Sequence, residues 1–264
     1  MKILSYIKQN IELVVFFILV AVIALLILRR SLEGFFNEQN GINRLDAIIY
    51  INLENRQDRK DLLIKELEKL NTNMGKVHKV SGVYIPKNGH KGCIQSHILA
   101  LNMIKLNKWK RALILEDDAE LDIDPKVFNN LINNTLDTLD TKQQDWNVVM
   151  LGTANKVIDN NTDKMPLEIF APDGTKMPLA IEKLKTATTS SAYIIKDNYV
   201  DSILNLFNNC NENMEPHKLS AQGFEYWALD QKWAELQMKD KWFSIDKDPI
   251  KQRAIWSTII NESH

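Results

Sequence analysis

The sequence predicts an α/β domain on an open, mostly parallel, Rossmann-like sheet with helices on both faces, preceded by one transmembrane helix. Three observations carry that expectation. From residue 46 onward, short β-branched runs alternate with amphipathic stretches. An unbroken apolar run, Leu13–Leu28 (LVVFFILVAVIALLIL), stands near the start. One apolar run, Arg111–Leu115, feeds straight into three carboxylates, Glu116, Asp117 and Asp118.

The 264 residues suit one domain with an appendage. The formal net charge of -1 argues against a nucleic-acid partner, since a phosphate backbone asks for a basic footprint. Cys93 and Cys210 allow one disulfide but not a disulfide-built scaffold. Neither cysteine pairs with His or Cys at the spacing of a structural zinc site.

The organisation follows as a tail at residues 1–10, an anchor at 11–30, a stem at 31–45 and the catalytic domain at 46–264. At about 1.5 Å per residue the apolar run covers roughly 24 Å, close to a ~30 Å hydrocarbon core once Ile11 and the flanking Arg29 and Arg30 are added. Arg29-Arg30 follows at once where a signal peptidase would need small residues, which favours an uncleaved, single-pass anchor. Lys2 and Lys8 before the span balance the two arginines after it, so sidedness stays open. The sequons at Asn133, Asn160 and Asn261 do not decide it.

Ala47–Ile51 reads as a buried strand, and Asp58–Leu70 as a helix with Leu62, Leu63, Leu67 and Leu70 on one face. Lys76–Val83 reads as a second strand, Gly92–Leu106 as a helix, Arg111–Leu115 and Trp146–Leu151 as strands. Thr188–Ile195 reads as one more strand, followed by a helix over Asn198–Phe207 and a Trp-rich helix over Phe224–Leu236. Residues 152–187, rich in Asn, Asp, Pro and Gly, read as the variable loops that choose a substrate.

Three segments carry chemistry. In LILEDDAEL, three adjacent carboxylates sit where a buried strand ends, which is where open α/β sheets collect ligands. Such charges repel unless a cation joins them, so Asp118, Asp117 and Glu116 are the expected ligands of a hard divalent ion. In INLENRQDRK, Asn52 and Leu53 leave the first strand and Arg56 and Arg59 lie near a helix N-terminus, a place that favours phosphate. In GCIQSH, Gly92 permits a tight helix entry while Ser96 and His97 can face the sheet end. A lone histidine is more often structural than catalytic. A phosphohydrolase of the aspartyl-phosphate kind also places carboxylates after a strand, but Asp118-Ala119-Glu120-Leu121 fits that chemistry poorly.

These segments, in this order, resemble glycosyltransferase family 25, the lipooligosaccharide and procollagen galactosyltransferase group. YINLENRQDR resembles the family's opening strand and loop, GCIQSH its Gly-Cys-x-x-Ser-His signature, and LILEDDAEL its acidic motif. TTSSAYII (Thr188–Ile195) and PIKQRAIWSTI (Pro249–Ile259) resemble two later segments. The resemblance implies a GT-A-type nucleotide-diphospho-sugar transferase fold and an inverting transfer of a hexose, often galactose, from a UDP-sugar. It further implies Mn2+ (or Mg2+) as the cofactor and a glycan or protein hydroxyl as the acceptor. It makes Asn52, Leu53, Arg56, Arg59, Ser96, Glu116 and Asp117 the expected donor-binding residues and Asp118 the first metal contact. An inverting transfer needs a carboxylate base. Asp230 in YWALDQKW is similar in place to the family's Pro-Val-Asp motif, with Ala228 and Leu229 standing in the two preceding positions. Glu225 is its rival; His97, placed to hydrogen-bond a substrate, is the other catalytic candidate. Trp227 and Trp233 could stack on a sugar, although core packing is the commoner fate of Trp. The alternative function is a membrane-anchored, non-catalytic binding protein on a degenerate transferase fold.

Overall fold

The structure is a computed structural model that describes residues 13, 15–28, 41–214 and 226–254. Two compact units divide the chain at residues 40 and 41. In the first, the described residues are helical and their large apolar side chains, such as Phe16, Phe17 and Leu25, are exposed. Among the described residues no helix is long and apolar enough to cross a membrane. The remaining residues of the expected span (11, 12, 14, 29 and 30) lie outside them.

The second unit begins at Gly41, before the boundary expected at residue 46. The 3-10 turn Gly41–Arg44, read from sequence as stem, is part of the folded unit, with Ile42 and Leu45 in the core. A left-handed Gly41 (φ +57°) starts that turn. Asn133 and Asn129, one helical turn apart, accept its first two backbone N–H groups at 2.8 and 3.0 Å. Polar side chains thus hold a segment whose own composition looks like linker.

Strands β1 (Ala47–Asn52), β2 (Val77–Ser81) and β3 (Arg111–Glu116) are parallel neighbours in the order β2-β1-β3. β1 is buried along its whole length because its alternating side chains meet a helical layer on each face. Ile48 and Tyr50 join the layer of helices α1 (Gln57–Lys69) and α3 (Pro125–Lys142). Ala47, Ile49 and Ile51 join that of α2 (Gly89–Asn107) and α4 (Val200–Asn213). α3 starts on an Asp124 side chain that caps the N–H groups of Lys126 and Val127, with Pro125 at its first position.

The sheet continues β3-β11-β5-β12-β10-β6, with β5 at Val148–Met150, β6 at Ala154–Ile158, β10 at Ala180–Thr188, β11 at Ala192–Lys196 and β12 at Trp242–Ile245. It is a mixed sheet, which corrects the mostly parallel expectation. β11 runs antiparallel between β3 and β5, and β10 runs antiparallel between β12 and β6. Both reversals come from one stretch of chain. The strand expected over Thr188–Ile195 is two strands parted by a corner at Thr189, whose φ of 71° ends β10. A β-branched residue in that region is strained by about 1–3 kcal/mol.

Residues 152–187 are not loop alone. They hold β6, β7 (Met165–Pro166), β8 (Ile169–Phe170), β9 (Lys176–Met177) and most of β10. The helix expected over Phe224–Leu236 is, among the described residues, broken into α5 (Leu229–Lys232) and α6 (Ala234–Gln237). Trp233 between them is fully buried against Tyr193, Phe207 and Trp242, so it packs the core and faces no sugar.

Candidate active site

The carboxyl ends of β1 and β3 lie side by side, Ile51 paired with Glu116, and the carboxylate run turns away from the sheet just beyond. Each of the three acidic groups meets different partners. Asp117 is buried: its Oδ1 accepts from Arg59 Nη1 and its Oδ2 from Asn52 Nδ2, both at 2.9 Å. Asn52 also donates to the carbonyl of Arg56 at 2.9 Å, closing the loop between β1 and α1. Arg59 and Asn52 therefore fix the acidic turn, a role the sequence did not distinguish from ligand binding. Arg56 points to Asp58 instead, through a two-pronged pair at 2.9 and 3.0 Å.

Glu116 takes a hydroxyl hydrogen bond from Ser190, and its Oε1 lies 3.2 Å from His97 Nε2. Burial pushes the Glu116 carboxyl up, but His97, Ser190 and the Arg59 charge together bring it below its ordinary value. His97 is fully buried, its Nδ1 3.0 Å from the Tyr193 hydroxyl and its ring stacked on the Tyr193 ring. Both ring nitrogens are engaged within the protein, which suits a positioning residue. Ser190 and Tyr193 were missed as site residues. Their signal was present in TTSSAYII, which the strand reading absorbed.

Asp118 differs from its neighbours. Its Oδ1 is buried and makes no hydrogen bond. Burial, and after it the charges of Glu116 and Asp117, raise its carboxyl to about 7. A buried carboxylate oxygen without a partner calls for a compensating positive charge. A hard divalent cation supplies one, so the residues present fit such an ion, with Asp118 as its first contact.

The helical signature has a packing reason for each of its members. A Cβ at Gly92 would sit 2.4 Å from the Val83 carbonyl, so only glycine lets the loop after β2 approach α2. Ser96 Oγ donates to the Gly92 carbonyl at 2.7 Å and accepts the Val83 N–H at 2.8 Å, stapling that loop to the helix. Cys93, one turn before His97, completes a group with His97 and Glu116 whose ligand-type atoms lie within 4.8 Å of one another. A spacing of four puts Cys93 and His97 on one helix face, a proximity that structural-zinc spacing does not bring out. Burial, and then the nearby Glu116 and Asp230, push the Cys93 thiol well above its ordinary range. Cys93 and Cys210 are both free thiols, so the disulfide that the sequence allows is not formed.

Between these elements lies a cleft of ≈ 140 Å³ whose walls include Asn52, Leu53, Arg59, Tyr84, Cys93 and Gln252. Ser96, His97, Glu116, Asp117 and Asp118 also face it. The structure thus brings every expected donor-binding residue except Arg56 to one cavity. Asp230 stands to one side, its Oδ2 accepting the N–H of the strained Thr189 at 3.0 Å. Glu225 and residues 255–259 of the last motif lie outside the described residues.

Residues 87–217 match the family model of glycosyltransferase family 25, described as an LPS biosynthesis protein. No curated protein matches the chain. Among solved structures, it is similar to a glycosyltransferase involved in the glycosylation of the major capsid of PBCV-1. That likeness has 12% identity and a TM-score of 0.41, over 77% of this chain and 81% of the other. It is also similar to a mannose-1-phosphate geranyltransferase from Thermus thermophilus, with 10% identity and a TM-score of 0.38, over 80% of this chain and 75% of the other. The family match spans the helical signature, the acidic run and the Ser190–Tyr193 segment that the fold gathers around one cleft, and the chain belongs to glycosyltransferase family 25, a family of glycosyltransferases.

Proposed function

We propose that this cleft binds a UDP-sugar together with a divalent cation, Mn2+ or Mg2+, and passes the hexose, galactose by family resemblance, to a hydroxyl of a glycan or protein with inversion. One observation carries the reading: the buried, unpartnered Oδ1 of Asp118 at the end of β3. The GT-A type of fold belongs to the same proposal, supported by the donor-side residues gathering at the ends of β1 and β3.

Asp118 would hold the ion, with Glu116 beside it. When bound, the ion offsets the negative charge that gathers on the departing nucleotide diphosphate. The protein groups do the rest. Arg59 and Asn52 hold Asp117 and with it the turn that presents Asp118. His97 and Ser190 hold Glu116 ionised and in place. On the acceptor side, Asp230 is the proposed base. It takes the proton from the acceptor hydroxyl as that oxygen bonds to the anomeric carbon and the bond to the diphosphate breaks. Glu225 remains its rival.

The purified chain, supplied with Mn2+ or Mg2+ and a panel of UDP-sugars, is expected to release UDP, and a chelator is expected to stop the release. Absence of both UDP release and UDP binding across the panel defeats the reading. The proposal includes single-pass membrane attachment through residues 11–30, supported by the exposed apolar side chains of the described helix. Retention in the membrane pellet after alkaline extraction is the expected outcome, and release into the supernatant refutes it.

A further inference from the structure

A second cavity, ≈ 250 Å³, lies beyond Gln252, the residue that lines both it and the first cleft. Gln252 belongs to β13 (Ile250–Gln252), which pairs with β4 (Ala119–Leu121) and sets Gln252 opposite Ala119, next to Asp118. The other walls come from the connection after β5 (Gly152, Thr153), the corner before β11 (Thr189, Ser191) and Asp248. None of these residues has a part in holding the donor or cation as proposed above.

Two polar atoms of this cavity are buried and make no hydrogen bond: Ser191 Oγ, on a residue 1% exposed, and Asp248 Oδ1. Such atoms are rare in folded proteins because each carries an uncompensated desolvation cost. The Asp248 carboxylate is held from its other side, where Oδ2 accepts the Thr153 N–H at 2.9 Å and the Thr153 hydroxyl. Oδ1 is therefore fixed in position. Burial raises the Asp248 carboxyl above its ordinary value, although Thr153 and the Lys156 charge pull it the other way. Gly152 keeps the floor open, since a Cβ there would meet the Ile250 carbonyl at 2.9 Å and Ser191 Oγ at 3.1 Å.

The chemistry of the walls selects the ligand. The lining lysines Lys247 and Lys251 stand with the lining carboxylates Asp122 and Asp248, and Lys156, 3.6 Å from Asp248 Oδ1, also faces Glu182 at 3.8 Å, so positive and negative groups balance. A balanced site with a carboxylate acceptor and a hydroxyl suits a neutral polyol better than a phosphate. The volume lies below the roughly 300–1,000 Å³ of drug-sized sites, which suits one sugar ring rather than a chain of them. The cavity also meets the corner whose Thr189 N–H is held by Asp230, the proposed base.

We propose that this second cavity is the acceptor subsite and seats one terminal sugar ring, whose hydroxyls bond to Asp248 Oδ1 and Ser191 Oγ. The assignment to the acceptor rests on the transferase reading above; the assignment to a sugar ring rests on the cavity itself.

Saturation-transfer NMR on the full chain in detergent tests it, with methyl glycosides of glucose, galactose, mannose and N-acetylglucosamine as probes and UDP with Mn2+ as a parallel ligand. At least one glycoside is expected to bind. Its Kd is expected to rise tenfold or more in both Asp248→Asn and Ser191→Ala, with the UDP Kd within twofold of wild type. Ser191→Ala deletes a hydroxyl that makes no bond in the protein, so its melting temperature is expected to hold or rise, which separates lost binding from lost folding. Absence of glycoside binding while UDP binds overturns the proposal, as does an unchanged glycoside Kd in both variants. If UDP fails to bind while an Asp248-dependent glycoside binds, the sugar subsite stands and the donor reading falls.

Discussion

The two halves of the sheet solve different problems with the same material. In the parallel half, β2-β1-β3, consecutive strand-loop-helix units deliver Asn52, Arg59, Glu116, Asp117 and Asp118 to one edge. Each arrives because a strand ends there, and all of the carboxylates but Asp118 find protein partners. In the other half, β5, β12, β10 and β6 pair mostly antiparallel, and the polar atoms at their edge come from a corner, a connection and a C-terminal strand that are far apart in sequence. Both edges leave one carboxylate oxygen buried and unmatched, Asp118 Oδ1 on one side and Asp248 Oδ1 on the other. The surroundings differ. Asp118 lies among other carboxylates while the nearby Arg59 donates to Asp117, whereas Asp248 Oδ1 has a lysine 3.6 Å away, beyond hydrogen-bond distance. Burial alone does not name a ligand; the charge around the buried atom does.

That comparison can be broken at several points. The largest effect is expected from Arg59→Ala, which leaves Asp117 buried without its cation. A loss of roughly 3–5 kcal/mol follows for a broken buried pair, measured by urea unfolding. A loss under about 1 kcal/mol would show that the acidic turn does not depend on that pair.

Asp118→Asn is expected to lower UDP release at least about 100-fold, as removal of a principal charge-stabilising group does. Its stability should move the other way. The Asp118 carboxyl holds its proton up to about 7 in the folded chain but only to the ordinary carboxyl range when unfolded. The folded state therefore binds more protons between those limits, and stability falls as pH rises through that window. The asparagine variant lacks that dependence and should melt at least about 3 °C above wild type at pH 8 without divalent cation. Added Mn2+ should raise the melting temperature of wild type and not of the variant. A cation-induced shift that survives in Asp118→Asn would move the site to Cys93, His97 and Glu116.

In the other half, Gln237→Ala removes a fully buried side chain whose Oε1 accepts the Ala187 N–H at 2.8 Å. A loss of about 1–3 kcal/mol is expected, with UDP affinity unchanged by titration calorimetry. A weakened UDP site would mean that the two halves are coupled. The smallest effect is expected from Asp137→Ala, which removes the exposed partner of Arg44 at 2.7 Å. It should cost at most about 0.5 kcal/mol in the same urea titration. A larger loss would mean that the Gly41–Arg44 turn is held by charge rather than by Asn129 and Asn133.

Legibility in the sequence followed the range of the interactions. β1 and α1 are within a residue or two of the expected Ala47–Ile51 and Asp58–Leu70, because runs of Ile and spaced leucines carry their own period. The corner at Thr189 was not legible. TTSSAYII has the β-propensity of one strand, and only the meeting of Ser190 with Glu116 and of Thr189 with Asp230 shows why the chain turns there. The pairing of Asp117 with Arg59 was equally hidden, since a sequence shows a carboxylate but not which cation it faces.

By itself the sequence determined the strand-loop-helix opening, the two-faced burial of its strands, the family motifs and the placing of three carboxylates at a strand end, all set by residue periods and local chemistry. Tertiary structure alone decided that the sheet is mixed, that Asp118 rather than Asp117 keeps an unmatched oxygen, and that Ser191 and Asp248 share a cavity. Those outcomes depend on which distant groups meet, and the energy of a buried polar atom is fixed by the partners it meets and not by its neighbours along the chain.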